Sequence, residues 1–196
     1  MNNQHESTKG EQNGCRQRLE GYLSCQQRLA LALAWIRIAR PTPIAPLAML
    51  PIKFYSTADT WGEFSNFAPF PIKLDGESWP TTEHYFQAQK FEDRAYRKKI
   101  QSAASPDRAA TLGRDRSKKP RPDWLRFRLG VMRKALLAKF TQHPELKTLL
   151  LSTGTAKLIE HTANDDYWGD GGDGTGQNML GRMLMDIREQ FAKESK

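Results

Sequence analysis

Cysteine is nearly missing from this chain: its 196 residues hold two, Cys15 and Cys25. Everything after position 25 therefore lacks a disulfide framework, a thiolate nucleophile and a cysteine-bound zinc. Histidine is also scarce. His5, His84, His143 and His161 stand apart with no spacing that pairs metal ligands, so no histidine-built metal centre is expected. The Asp-rich loop from Asp165 onward lacks the EF-hand order of acidic residues, glycine and glutamate, and a calcium site is not expected there. Long apolar runs are absent too. Leu29 to Ala39 is interrupted by Arg37 and closed by Arg40-Pro41, well short of the roughly 20 residues a membrane span needs. It also begins too deep in the chain for a signal peptide and lacks a clear small-residue cleavage site. A cytoplasmic protein with no membrane partner and no cofactor is the expectation.

Charge is present in excess of one sign. The formal net charge is +8, with six Lys/Arg against three Asp/Glu in residues 1–48 and 24 against 19 in the remainder. Such a balance suits phosphorylated small molecules or nucleic acid, but it is weaker than a dedicated DNA-binding stripe.

Residues 1–15 are rich in Asn, Gln, Glu, Ser and Gly and are expected to be disordered. A helix is expected from Arg16 to Arg40, then a linker at Pro41-Thr42-Pro43-Ile44-Ala45-Pro46, which cannot continue it. Met49 is a candidate start, which makes residues 1–48 an extension and 49–196 the domain proper. In that domain Ile52–Tyr55 reads as extended, and Phe70–Leu74 reads as one arm of a hairpin that turns at Asp75-Gly76 toward Trp79. Helical patterns follow: Glu83 to Asp93 capped by Thr82, a segment from Ser105-Pro106 to Gly113, a long helix capped by Asp123, and a short one from Pro144 to Gly154. Leu125, Leu129, Met132, Leu136 and Phe140 recur at helical spacing in the long helix. Lys157–His161 reads as a strand, and Met179 to Phe191 as an amphipathic last helix. The fold class expected is mainly α, with a small antiparallel β element.

Two stretches carry the chemistry. Residues 164–182, NDDYWGDGGDGTGQNMLGR, set Asp165, Asp166, Tyr167 and Trp168 beside a glycine run at a helix start, where unpaired N–H groups receive anions. Gly174, Gly176 and Asn178 are the expected phosphate cradle. In residues 79–91, WPTTEHYFQAQKF, Glu83, Gln87 and Lys90 fall at i, i+4 and i+7 and share one helix face, beside Tyr85, Phe86 and Phe91. A carboxylate and an amine on one face serve acid/base chemistry if that face lines a cleft, and form an ordinary solvated ion-pair pattern if it does not. Trp124 and Trp168 offer flat surfaces for a base, although tryptophans also fill cores. The basic run Arg114, Arg116, Lys118, Lys119, Arg121 reads as solvated and able to steer phosphates.

These two stretches, together with Phe64-Ser65-Asn66-Phe67, Trp124, Met132-Arg133-Lys134-Ala135 and Lys139-Phe140, resemble the YbiA-like (NADAR) family in matching order. The resemblance spans roughly residues 52–192 and implies a compact, largely helical fold. It implies hydrolysis of an N-glycosidic bond, with a base or amine cut from C1 of a ribose phosphate or ADP-ribose. Its site residues fall on Glu83, Trp124, Asp166 and Trp168, with Lys90, Asp165 and Asn178 as further members.

Cleaving such a bond builds positive charge at C1 and its ring oxygen, which a carboxylate at Glu83 stabilises while taking a proton from water. Trp124 and Trp168 are expected to sandwich the base, and Asp166 to orient the ribose hydroxyls. Lys90 permits two routes: an imine at C1, or direct water attack with a charged Lys90 paired to Glu83 or to phosphate, the second being the expectation. The substrate expected is a small phosphorylated ribosyl amine such as a ribosylamino-pyrimidine phosphate intermediate of riboflavin biosynthesis. ADP-ribosylated guanine in nucleic acid is the alternative partner, and a non-catalytic ADP-ribose- or nucleotide-binding module is the alternative of another class.

Overall fold

A computed structural model describes residues 49–194; the helix expected over 16–40, the tail before it and the proline linker lie outside the described residues. Asp75 and Gly76 both take positive φ, 55° and 77°, the backbone that a two-residue hairpin turn requires. They join β2 (Ile72–Leu74) to β3 (Glu77–Trp79) in an antiparallel pair with Ile72 opposite Trp79. The second pair differs from expectation. β1 (Ile52–Phe54) lies parallel to β4 (Leu158–Glu160), with Ile52 opposite Leu158 and Phe54 opposite Glu160. Parallel pairing needs a long crossover, and here all of the intervening helices supply it.

The structure is mainly helical. α1 (Thr82–Ala88) is capped by Thr81 rather than Thr82: the Thr81 hydroxyl accepts from the His84 N–H at 3.3 Å. It ends at Ala88 rather than near Asp93, because Asp93 opens α2 (Arg94–Gln101) by accepting the N–H groups of Ala95 and Tyr96. Ser105 caps α3 (Pro106–Gly113). At the start of α4 (Trp124–Gln142) the Asp123 carboxylate bonds to Arg121 instead of capping the helix. Leu125, read as a core position, is 74% exposed, since the buried face runs through Trp124, Met132, Leu136 and Phe140. α5 (Pro144–Ser152) and α6 (Met179–Glu194) complete the fold.

Two apolar clusters flank α1. One joins α4, α5, α6 and the parallel strands through residues such as Phe64, Leu136, Leu158 and Leu184. The other joins the hairpin to α1, α2 and α3 through Ile72, Trp79, Ile100 and Leu112. Phe86 belongs to the first and Tyr85 to the second, so all seven residues of α1 are buried. Burial of a seven-residue helix on every side is tertiary packing, since a helix this short has little stability of its own. One further polar group braces the region: the fully buried Lys139 ammonium donates to the carbonyls of Glu63 at 2.6 Å and Ser65 at 2.9 Å. That clamp fixes the backbone leading into Asn66, and burial pulls the Lys139 pKa down to about 7.

Candidate active site

Glu83 and Gln87 on the third face of α1, with Lys90 in the turn just beyond its end, line a cleft of about 320 Å³. Glu83 accepts from Gln87 Nε2 at 2.7 Å and from Asn66 Nδ2 at 3.4 Å. Its backbone N–H and the Thr82 hydroxyl both donate to the Asn66 carbonyl, which ties the Asn66 loop to the first turn of the helix. Burial pushes the Glu83 carboxyl above its ordinary range, opposed by the hydrogen bonds from Gln87 and Asn66 and by the charges of Arg114 and Lys90. Its charged form is therefore costly but well supported.

Lys90 departs from expectation. Its ammonium donates to the Gly113 carbonyl at 2.7 Å and to Gln87 Oε1 at 3.4 Å. No salt bridge joins it to Glu83; the Gln87 amide stands between them as a relay. Burial lowers the Lys90 pKa, the charge of Glu83 works against this and that of Arg114 adds to it. Gly113 makes the arrangement possible, because a methyl group there would stand 1.8 Å from Gln87 Oε1.

Aromatic walls come from three elements. Phe86 of α1 lies between the two tryptophans, its ring 5.1 Å from Trp124 and 5.3 Å from Trp168. Trp124 is largely core, 8% exposed, while Trp168 is half-buried. Asp165 sets Trp168 in place by accepting the N–H groups of Tyr167 and Trp168 at 2.8 and 2.7 Å. Asp165 itself lines the cleft. The structure thus brings together Glu83, Lys90, Trp124, Trp168 and Asp165 from the residues singled out in the sequence.

It does not bring the others. Asp166 is exposed and off the cleft wall, and its carbonyl accepts from Gln177. Gly174, Gly176 and Asn178 form no open anion cradle there: the N–H groups of Gly174 and Gly176 go to the Asp170 carbonyl, and that of Asn178 to Gly169. The N–H groups of Met179 and Leu180 go to Tyr167 and Trp168, so the start of α6 is satisfied by the loop before it. Asn178 turns inward, accepting from the Glu160 N–H and donating to the Leu158 carbonyl, and works as a clip between α6 and β4.

Three charged cleft residues, Arg128, Arg114 and Glu160, are not among the site members expected from the sequence. Arg128 follows Trp124 by one helical turn on the same face of α4, and its guanidinium lies 3.7 Å from the centre of the Tyr167 ring. Arg114, counted only within the solvated basic run, reaches the cleft wall from the end of α3. Glu160 lies two positions after the buried Leu158 on β4, which puts a carboxylate on the inward face of a strand. Helical and strand periodicity held the signal for both Arg128 and Glu160. Among the described residues, no helix is long and apolar enough to cross a membrane, and no group of three or more His, Cys, Asp or Glu is placed to hold a metal.

A family model described as the NADAR domain matches residues 53–192. The N-glycosidase YbiA of Escherichia coli is 62% identical over 143 residues, which cover 73% of this chain and 89% of that protein. The NMR structure of E. coli YbiA superposes with a TM-score of 0.71 at 59% identity, covering 76% of this chain and 89% of that one. A Vibrio vulnificus riboflavin biosynthesis protein, VVA0006, is 42% identical over 145 residues, 74% of this chain and 40% of that protein. With the family match spanning nearly all of the described fold, and with that fold shared by a solved relative, this chain belongs to the NADAR domain family.

Proposed function

We propose that this N-glycosidase cleaves phosphoribosyl amines, releasing an amino-pyrimidine or similar base from C1 of a ribose phosphate, as in the early intermediates of riboflavin biosynthesis. The observation that carries this reading is one cleft in which a buried carboxylate, Glu83, faces the same space as an aromatic wall and three cations, Lys90, Arg114 and Arg128. The cations suit a phosphate, with the two arginines replacing the glycine cradle expected from sequence. Trp168 and Trp124 present the surfaces for the base. Glu83 is the group assigned to stabilise positive charge at C1, and the hydrogen bonds from Gln87 and Asn66 support its carboxylate against the cost of burial. The E. coli relative's name supports the bond type, and the Vibrio relative's name supports the substrate class.

The geometry bears on the nucleophile as well. Lys90 forms no salt bridge with Glu83, and burial lowers its pKa against the opposing charge of Glu83, so its neutral amine is more available than its spacing from Glu83 suggests. That favours transient imine formation at C1, followed by hydrolysis, over direct water attack.

A second reading, removal of ADP-ribose from guanine in nucleic acid, is favoured by one observation. Arg116, Lys118 and Lys119 are exposed and run on directly from Arg114 at the cleft wall. Measuring base release from a ribosylamino-pyrimidine phosphate and from ADP-ribosylated guanosine separates the two. Turnover of the first at a kcat/KM at least tenfold above the second is the expected result, and the reverse order overturns the proposal.

A further inference from the structure

Glu160 is the carboxylate that the chemistry described so far leaves unused. It ends β4, at the point where the first cleft meets a second one of about 340 Å³, and lines both; Tyr55 and Phe67 are the other residues they share. Its backbone is pinned at both ends, the N–H donating to Asn178 and the carbonyl accepting from Asp170. The carboxylate has no such support: Oε2 is buried and no hydrogen-bond partner meets it. A buried polar atom left unpaired costs stability, so its retention in a residue that lines two clefts points to a role toward a ligand.

We propose that Glu160 is a second catalytic residue, the acid that protonates the leaving nitrogen while Glu83 carries the negative charge. This rests on the N-glycosidase reading of the cleft. The two carboxylates share one cleft and burial raises both, but only Glu83 has hydrogen-bond donors and nearby cations working against that rise. Glu83 has two amide donors, with Arg114 and Lys90 acting on its charge. Glu160 has no donor and faces acidic groups from each side: Glu83 on α1, and Asp165 and Asp170 in the loop before α6, while Asp107 at the start of α3 lines the second cleft. Burial first, and then the charges of Asp165, Glu83 and Asp170, push its pKa up to about 8, and Arg128 and Arg114 across the cleft do not reverse this. At neutral pH it is protonated and able to donate.

The step balances without an outside reagent. The C1–N bond breaks with its electron pair going to nitrogen, and the Glu160 proton is transferred to that nitrogen. The nucleophile, Lys90 amine or water, bonds to C1 and its proton passes to Glu83. In the imine route, water then releases the sugar from Lys90, so one water is consumed per base released. Proton return from Glu83 to Glu160 resets the pair.

The test compares Glu160→Gln with the wild-type protein, both confirmed folded by circular dichroism. With a ribosylamino-pyrimidine phosphate, whose amine leaves poorly without a proton, kcat is expected to fall about 10²- to 10⁴-fold. The alkaline limb of the wild-type pH–rate profile, near pH 8, is expected to vanish in the variant. With 4-nitrophenyl ribofuranoside 5-phosphate, whose leaving group needs no proton, the variant is expected to stay within about tenfold of wild type. A merely structural role predicts equal losses on both substrates and an unchanged limb. Retention of the alkaline limb in Glu160→Gln, or full activity on the amine substrate, overturns the assignment. If wild type releases no base from the ribosyl amine, the substrate reading has failed instead, and the same profile is taken with ADP-ribosylated guanosine, where a limb that persists in the variant again overturns it.

Discussion

Replacing Gly113 by alanine tests whether the Gln87 amide is what keeps Glu83 ionised and Lys90 in place. The added methyl group meets Gln87 Oε1 at 1.8 Å and Cδ at 2.5 Å, so the amide must swing away. In moving it gives up the 2.7 Å bond to Glu83 and the contact from Lys90. Loss of a buried hydrogen bond to a charged group costs about 1.5–3 kcal/mol. Opposing this, Gly113 ends α3 without positive φ, so alanine returns up to about 1 kcal/mol of helix propensity. The net change is about 1–2 kcal/mol, a fall in Tm of roughly 2–8 °C for a domain of this size. If the lost bond acts in the transition state, kcat/KM falls roughly 10- to 100-fold, well beyond what the modest melting shift implies. The pH dependence has a definite sign. Gln87 is the leading influence holding the Glu83 carboxyl down against burial, so without it less Glu83 is ionised at any given pH, and the acid limb of kcat/KM moves to higher pH. Base-release rates across pH, alongside thermal melts, read both quantities. A Gly113→Ala protein with wild-type kcat/KM and an unmoved acid limb would refute the relay.

Glu83→Gln is expected to lower kcat by about 10²-fold or more with the fold retained, because an amide keeps the shape but not the charge; near wild-type turnover in a folded variant removes Glu83 from the mechanism. Trp168→Ala, at a half-buried position, is expected to weaken base binding by about 1–3 kcal/mol with little change in melting, read by titration calorimetry against denaturation. Trp124→Ala, nine-tenths buried against Phe86, is expected to cost about 3–5 kcal/mol of stability as well, and a binding defect without destabilisation would contradict its place in the core. Borohydride added during turnover is expected to leave a ribosyl-mass adduct on Lys90, seen by mass spectrometry and absent from Lys90→Arg. No adduct, with activity surviving in Lys90→Arg, would leave the lysine an electrostatic role only.

Some of this protein could be read directly from residue order because the physics involved is local. Asp75-Gly76 between two extended runs specifies its turn through φ alone, and the 3.6-residue recurrence from Met132 to Phe140 marks a buried helix face. The shared face of Glu83 and Gln87 follows from helix geometry once α1 exists, whereas Lys90 reaches them from the turn beyond its end. What periodicity leaves open is which face meets which neighbour. Leu125 fits the apolar pattern yet is exposed, since Trp124, not Leu125, packs against Phe86 of α1. The parallel pairing of Ile52 with Leu158 joins segments about a hundred residues apart, and no local propensity encodes it. That pairing, with the bonds from the Glu160 backbone to Asn178 and Asp170, brings Glu160 beside Tyr55 and into the cleft with Glu83. The glycine loop before α6 has the composition of an anion cradle, but its N–H groups are taken up by its own carbonyls. A donor's availability depends on every acceptor the fold brings within reach, which is why the order of residues determined the helix carrying Glu83 and only the packed structure decided what surrounds it.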